Sequence, residues 1–256
     1  MEKEAFIIGT GPSLKKIDMT KLKDKITITF NRAYVAFDDW GFDPTYYLAI
    51  DSNDIRSVYK DINNLVLNSN IKKFFLIKTN DNQRHTTTDF QDGDIVSNEN
   101  MYVKSNKIRL IHPTNYSYDY PLLCDTIESE NMINTSLPPN AGFLGLKMLY
   151  HEGYRKIYLL GMDARYSDDI EYRNVERKGG QYTADSDNDV NHFRSDYFGK
   201  NITFGKPNQS EIIRIWSKFI NEVLPKKYPD LEIISCSENS NLNDFIKYEN
   251  FDSIIK

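Results

Sequence analysis

The stretch that decides the fold is "FIIGTGPSL", residues 6–14: three large apolar residues, then Gly-Thr-Gly, then a proline and a serine where a helix begins. A strand that runs into a Gly-rich turn and a helix start is how an α/β fold presents backbone N–H groups to a phosphate. The dinucleotide pattern Gly-x-Gly-x-x-Gly is incomplete, because Leu14 stands where its last glycine belongs. A phosphorylated ligand is therefore expected at Gly9, Thr10, Gly11, Pro12 and Ser13, without the usual nicotinamide reading. The plainer alternative is a tight turn in which Ser13 only caps a helix.

Working outward, short apolar runs recur at residues 5–8, 26–30, 46–50, 73–77, 108–111, 156–160 and 231–234. Several are continuous rather than alternating, as expected of strands covered on both faces of a mainly parallel sheet. "AGFLGLKMLYHEG" (residues 141–153) reads as a helix carrying Phe143, Leu146, Met148 and Tyr150 and ending at Gly153. "SEIIRIWSKFINEVL" (residues 210–224) places Ile212, Trp216, Phe219, Ile220 and Val223 on one face. The alternation predicts a doubly wound, mainly parallel, Rossmann-like α/β sheet. Two polar stretches, residues 79–106 and 163–206, break the rhythm, and loops of such length are usually functional. The expectation is a single domain over residues 1–256 with a lid insertion at about 164–206.

Lysines and arginines number 32 against 37 acids, and they are mixed along the chain, so no basic stripe suits duplex nucleic acid. Cys124 and Cys236 lie far apart with no paired spacing, which fits a reducing compartment. The start "MEKEAFIIG" lacks a signal-peptide pattern, and no run approaches a membrane span, so a cytoplasmic protein is expected. Tyrosines number 17, many in polar stretches, where an apolar ring with a polar tip suits sugars and nucleotides.

Polar residues gather past the strand ends: the glycine turn, Asn31 in "TFNRAY", Asp51 in "LAIDSND", and Gly161 and Asp163 in "IYLLGMDARYSDDIEY", which also holds Tyr166 and Tyr172. Each alone suits a turn cap; together, at the carboxyl ends of strands, they predict a site. His192 lies in the polar insertion, where it is either a surface residue or a base tuned to neutral pH. Tyrosine hydroxyls can donate to a leaving phosphate. The acidic runs at residues 51–54 and 185–190 could hold a hard cation, but no glycine occupies the sixth position from Asp185, so an EF-hand is excluded. His85, His112 and His151 show no ligand spacing and are read as structural.

These segments, in this order, resemble the bacterial sialyltransferases that decorate lipo-oligosaccharides from a CMP-activated donor. "IIGTGPSL" resembles that family's opening strand and turn, "FNRAY" its strand-end asparagine, and "NAGFLGLKMLYHEGYRKIYLLGMDARY" its helix followed by a Gly-x-Asp strand end. The same turn and strand end are similar to the wider group that holds the flagellin-glycosylation proteins and the archaeal hydroxymethylpterin pyrophosphokinase.

The first resemblance implies that Tyr166 and Tyr172 hold the leaving phosphate, that His192 is the general base, and that Asn31 contacts the nucleotide. Asn140, Ala141 and Gly142 stand where the family opens its helix with Thr-Ser-Gly; Thr10 and Asp51 replace family asparagines. The implied protein is an inverting, metal-independent glycosyltransferase, with a nucleotide-sugar donor, a glycan acceptor and no cofactor. N–H groups near Gly11 and Gly142 would face the donor phosphate. The second resemblance implies magnesium-dependent pyrophosphoryl transfer from ATP, with Asp163, Asp185 and Asp187 as ligands. A non-catalytic nucleotide- or glycan-binding subunit is a third reading. The C-terminal "FIKYENFDSIIK" leaves peripheral membrane contact open, as the composition leaves a homo-oligomer.

Overall fold

The computed structural model describes residues 3–50, 52–77, 102–116, 122–138, 140–166, 181–205 and 207–255. The strands are β1 Glu4–Ile8, β2 Thr27–Phe30, β3 Tyr46–Ala49, β4 Lys73–Ile77, β5 Ile108–Tyr116, β6 Ile127–Ser129, β7 Met132–Leu137, β8 Lys156–Leu160, β9 Gln181–Thr183, β10 Thr203–Gly205 and β11 Glu232–Ser235. The helices are α1 Phe37–Trp40, α2 Ser52–Asn68, α3 Ala141–His151, α4 Gln209–Lys218, α5 Leu224–Lys227 and α6 Phe251–Ile254.

Nine strands form one sheet in the order β11-β8-β1-β2-β3-β4-β5-β7-β6. Its described pairings are parallel except for β6 on β7. The protein is thus the doubly wound, mainly parallel α/β fold expected from its buried strand runs. The chain goes from β1 outward through β2, β3, β4 and β5, then returns to lay β8 on the other side of β1. The gap between β1 and β8 is therefore the topological switch point, where such sheets open a crevice beyond their carboxyl ends.

Residues in β1, β2, β3 and β8 bury their side chains on both faces. α3 is buried from Ala141 to Leu149, more completely than a one-faced reading of its sequence suggests, because it lies between the sheet and α4. Phe143 meets Trp216 and Phe219 edge-on, with ring centroids at 5.0 and 4.9 Å. The expected helix over residues 210–224 is not uniform. α4 passes into a π-helical turn, Phe219–Val223, before α5. Pro225 has no N–H to give to the carbonyl four residues back, and the hydrogen-bond ladder shifts just ahead of it.

Within the described part of the polar stretch read as a lid, β9 and β10 pair antiparallel as a separate sheet. Phe198 stacks on Phe204 at 4.3 Å and 7°, and Tyr182 lies against the same Phe204. Most of residues 79–106 and the span 167–180 lie outside the described residues. In the C-terminal segment, Ile246 and Phe251 are buried in the core, so these apolar residues do not form a free membrane-facing surface. Among the described residues, no helix is long and apolar enough to cross a membrane.

Candidate functional site

A cavity of about 580 Å³ lies beyond the carboxyl ends of β1, β2, β3 and β8, at the switch point. Its scaffold wall includes Thr10, Gly11, Asn31, Asn140, Gly142 and Asp163. Ala141, Gly161, Tyr166 and His192 also line it. The fold therefore gathers most of the residues singled out in the sequence. Gly9, Pro12 and Ser13 are not on its wall. Asp51 and Tyr172 lie outside the described residues.

The glycine turn departs from the sequence expectation. Pro12–Lys16 is a five-residue 3-10 helix rather than the start of an α-helix. The two glycine N–H groups of the turn are spent inside the protein: Gly9 N–H donates to Leu160 O at 2.7 Å and Gly11 N–H to Gly161 O at 2.8 Å. Ser13 N–H donates to Asp163 Oδ2 at 2.9 Å, and the Ser13 hydroxyl donates to Asp163 Oδ1. The expectation that Gly11 N–H faces a phosphate is therefore corrected; the turn clamps β1 to the end of β8. Its glycines serve close approach, since a Cβ at Gly9 would lie 2.4 Å from Gly161 O. Gly161 itself has φ +62, the left-handed region that favours glycine.

The N-terminus of α3 fits an anion better. Asn140 caps it, its Oδ1 accepting from Phe143 N–H at 2.8 Å. The N–H groups of Ala141 and Gly142 belong to the first turn, whose donors have no intrahelical acceptor, and both residues line the cavity. Asn140 Nδ2 is buried without a hydrogen-bond partner among the described residues, as is Asn31 Oδ1. Asn31 has φ 54, and its carbonyl accepts from the Tyr47 hydroxyl at 2.5 Å. A buried polar atom left unpaired beside a left-handed backbone is costly in a resting structure and suits a ligand-reading position.

Another part of the wall comes from residues 181–205. Phe193 N–H donates to Thr10 O at 3.0 Å, so this segment docks directly on the glycine turn. His192 Nδ1 is 2.7 Å from Asp189 Oδ2. Asp189 is 8% exposed and also accepts from Asn191 N–H at 2.9 Å and Phe198 N–H at 3.1 Å. Three donors hold that carboxylate, and it in turn orients the imidazole. With Nδ1–H given to Asp189, the neutral ring keeps its lone pair on Nε2, which is the form a general base needs. Tyr166 stands edge-on to His192, ring centroids 6.4 Å apart, and its N–H donates to Gln209 Oε1 at 3.0 Å. The sequence reading missed Asp189, although the i, i+3 spacing in "DVNH" was a usable signal.

The acids proposed as metal ligands are not brought together. Asp163 spends both oxygens on Ser13, Asp187 Oδ1 accepts from Lys200 N–H at 2.7 Å, and neither Asp185 nor Asp187 lines the cavity. They do not fit a shared magnesium ion. Among the described residues, no cluster of three His, Cys, Asp or Glu side chains is disposed to hold a metal.

Two solved structures are similar to this chain. The sialyltransferase CstII from Campylobacter jejuni, solved with the substrate analogue CMP-3FNeuAc, is 18% identical with a TM-score of 0.46, over 97% of this chain and 86% of that one. The MAf glycosyltransferase from Magnetospirillum magneticum AMB-1 is 13% identical with a TM-score of 0.51, over 99% of this chain and 34% of that one. The chain thus spans about a third of the MAf protein, and at this identity the likeness is one of fold. No curated protein matches in sequence. The model of the family described as 6-hydroxymethylpterin diphosphokinase MptE-like matches residues 1–169, two thirds of the sequence and all of the scaffold from β1 through β8, and the chain belongs to that family.

Proposed function

We propose that the protein is an inverting, metal-independent glycosyltransferase that moves sialic acid or a related acidic keto-sugar from a CMP donor to a glycan hydroxyl. The observation that carries this reading is the His192–Asp189 pair, 2.7 Å apart, with His192 lining the same cavity as the α3 N-terminus. Asn31 and Asn140 read the nucleotide, and the N–H groups of Ala141 and Gly142 receive its phosphate. The acceptor oxygen forms a bond to the anomeric carbon while the bond from that carbon to the phosphate oxygen breaks. The acceptor proton passes to His192 Nε2, and the bonding pair leaves on the phosphate. Tyr166 donates to that oxygen as charge collects there; Tyr172, outside the described residues, shares this role by the resemblance. The fold shared with the MAf glycosyltransferase supports the reading.

The family match over residues 1–169 favours one other reading, pyrophosphoryl transfer from ATP. That chemistry draws on magnesium, which Asp163, Asp185 and Asp187 do not assemble to hold. The test is CMP release from CMP-N-acetylneuraminate in excess chelator, run beside ATP with magnesium and hydroxymethylpterin. Release that survives chelation supports the glycosyltransferase; turnover confined to ATP and magnesium replaces it with the second reading.

A further inference from the structure

Holding Nδ1 does not aim Nε2. An imidazole tied at one nitrogen can still swing about the line to its partner, so a second constraint has to fix the plane of the ring. Tyr197 supplies one. It is 1% exposed, and its ring stacks on His192 with centroids 4.2 Å apart and planes 12° from parallel. Phe198 meets the same imidazole edge-on at 4.8 Å, and Phe193 meets Tyr197 at 5.8 Å. Tyr197 is also anchored directly to the scaffold. Arg32 N–H donates to its hydroxyl at 3.3 Å, and Arg32 Nε donates to its carbonyl at 2.7 Å. Arg32 directly follows Asn31, the left-handed residue of the donor wall, yet does not itself line the cavity.

We infer that Tyr197 is the positioning residue that sets the plane of the His192 imidazole, and that Arg32 fastens this device to the donor-binding turn. The inference rests on the reading of His192 as the base. It predicts an effect at a distance: a change at Arg32 reaches the chemistry through Tyr197 although the arginine touches neither the cavity nor His192. The aromatic stack governs how often Nε2 points at the acceptor, not how tightly the donor binds, so kcat moves and KM does not.

The experiment uses the full chain, CMP-N-acetylneuraminate as donor, and the variants Tyr197→Leu, Tyr197→Phe and Arg32→Met. Tyr197→Leu lowers kcat for CMP release by about 2- to 10-fold, the range of an aromatic pair, with KM unchanged. Tyr197→Phe restores kcat, and Arg32→Met gives a loss of the same kind as Tyr197→Leu. In histidine-labelled protein, the ring-current shielding of the His192 ring protons is kept in Tyr197→Phe, lost in Tyr197→Leu and reduced in Arg32→Met. A rise in KM at constant kcat, or identical His192 signals in all variants, overturns the inference. If Tyr197→Leu does not fold, an Arg32→Met protein with wild-type kcat and wild-type His192 signals overturns it equally. If the wild type releases no CMP, the base reading has failed, and the NMR arm still decides whether Tyr197 orients the ring.

Discussion

The two walls of the cavity are built on different principles. The scaffold wall, at the ends of β1, β2 and β8 and the start of α3, is set by backbone packed so closely that a Cβ at Gly9 would lie 2.4 Å from Gly161 O. The other wall, residues 181–205, holds its shape by side chains: the Asp189 carboxylate with its three donors, and the stack of His192 on Tyr197. The family match ends at residue 169, so it covers the first wall and not the second. On the proposed reading, the scaffold supplies a place for an anionic nucleotide, while the segment outside the match supplies the proton acceptor.

If that division is right, substitutions on the two walls separate cleanly. His192→Ala lowers CMP release by about a hundredfold or more, the usual worth of a positioned base, while CMP still raises the melting temperature as in the wild type. Loss of CMP stabilisation in that variant would merge the two walls into one binding surface. Asp189→Asn keeps the shape but weakens a charge-assisted hydrogen bond, and a loss of about 10- to 100-fold in kcat is expected from its worth of about 1.5–3 kcal/mol. On the scaffold side, Gly9→Ala costs about 1–3 kcal/mol of stability, because β1 and β8 must part to admit the methyl group. Denaturant unfolding measures it, and an unchanged midpoint would show that the close approach is not needed.

The smallest effect concerns a buried ion of the scaffold. Lys147, 1% exposed on α3, donates to Ser136 O and Oγ at 2.9 Å and pairs with Asp125. Burial holds its pKa below the ordinary 10.5 despite the Asp125 carboxylate. A depressed lysine pKa is a protonation penalty on the folded state, full below the folded pKa and relieved as pH rises from there toward 10.5. The melting temperature of the wild type relative to Lys147→Met should therefore shift in favour of the wild type as pH rises through that window. A constant difference contradicts it.

The same contrast explains what the sequence made legible. β1, β3, β4 and β8 were visible because strands buried on both faces carry continuous apolar runs, as "FFLI" and "IYLL" are. α2 escaped notice because Val58, Ile62 and Val66, its buried positions among the described residues, are spaced through a largely polar segment. β7, "MINTSL", was hidden by its polar residues, although Thr135 and Ser136 are buried. At the site, residue types past strand ends located Asn31 and Tyr166, while the family resemblance was needed to single out Gly142 and His192. Pattern does not record which donors are already used, so the glycine turn read as a phosphate cradle when its glycine N–H groups are given to Leu160 and Gly161. Nor does it record that Tyr197 folds back onto a histidine five residues earlier.

The central claim is that residues 181–205 bring a base to the nucleotide cavity of the scaffold. The most direct test is a titration of histidine-labelled protein with CMP, followed by NMR. The account predicts a saturable change in the His192 imidazole signals while His112 and His151, which do not line the cavity, stay in place. CMP that binds without moving His192, or that moves His112 or His151 instead, would contradict it.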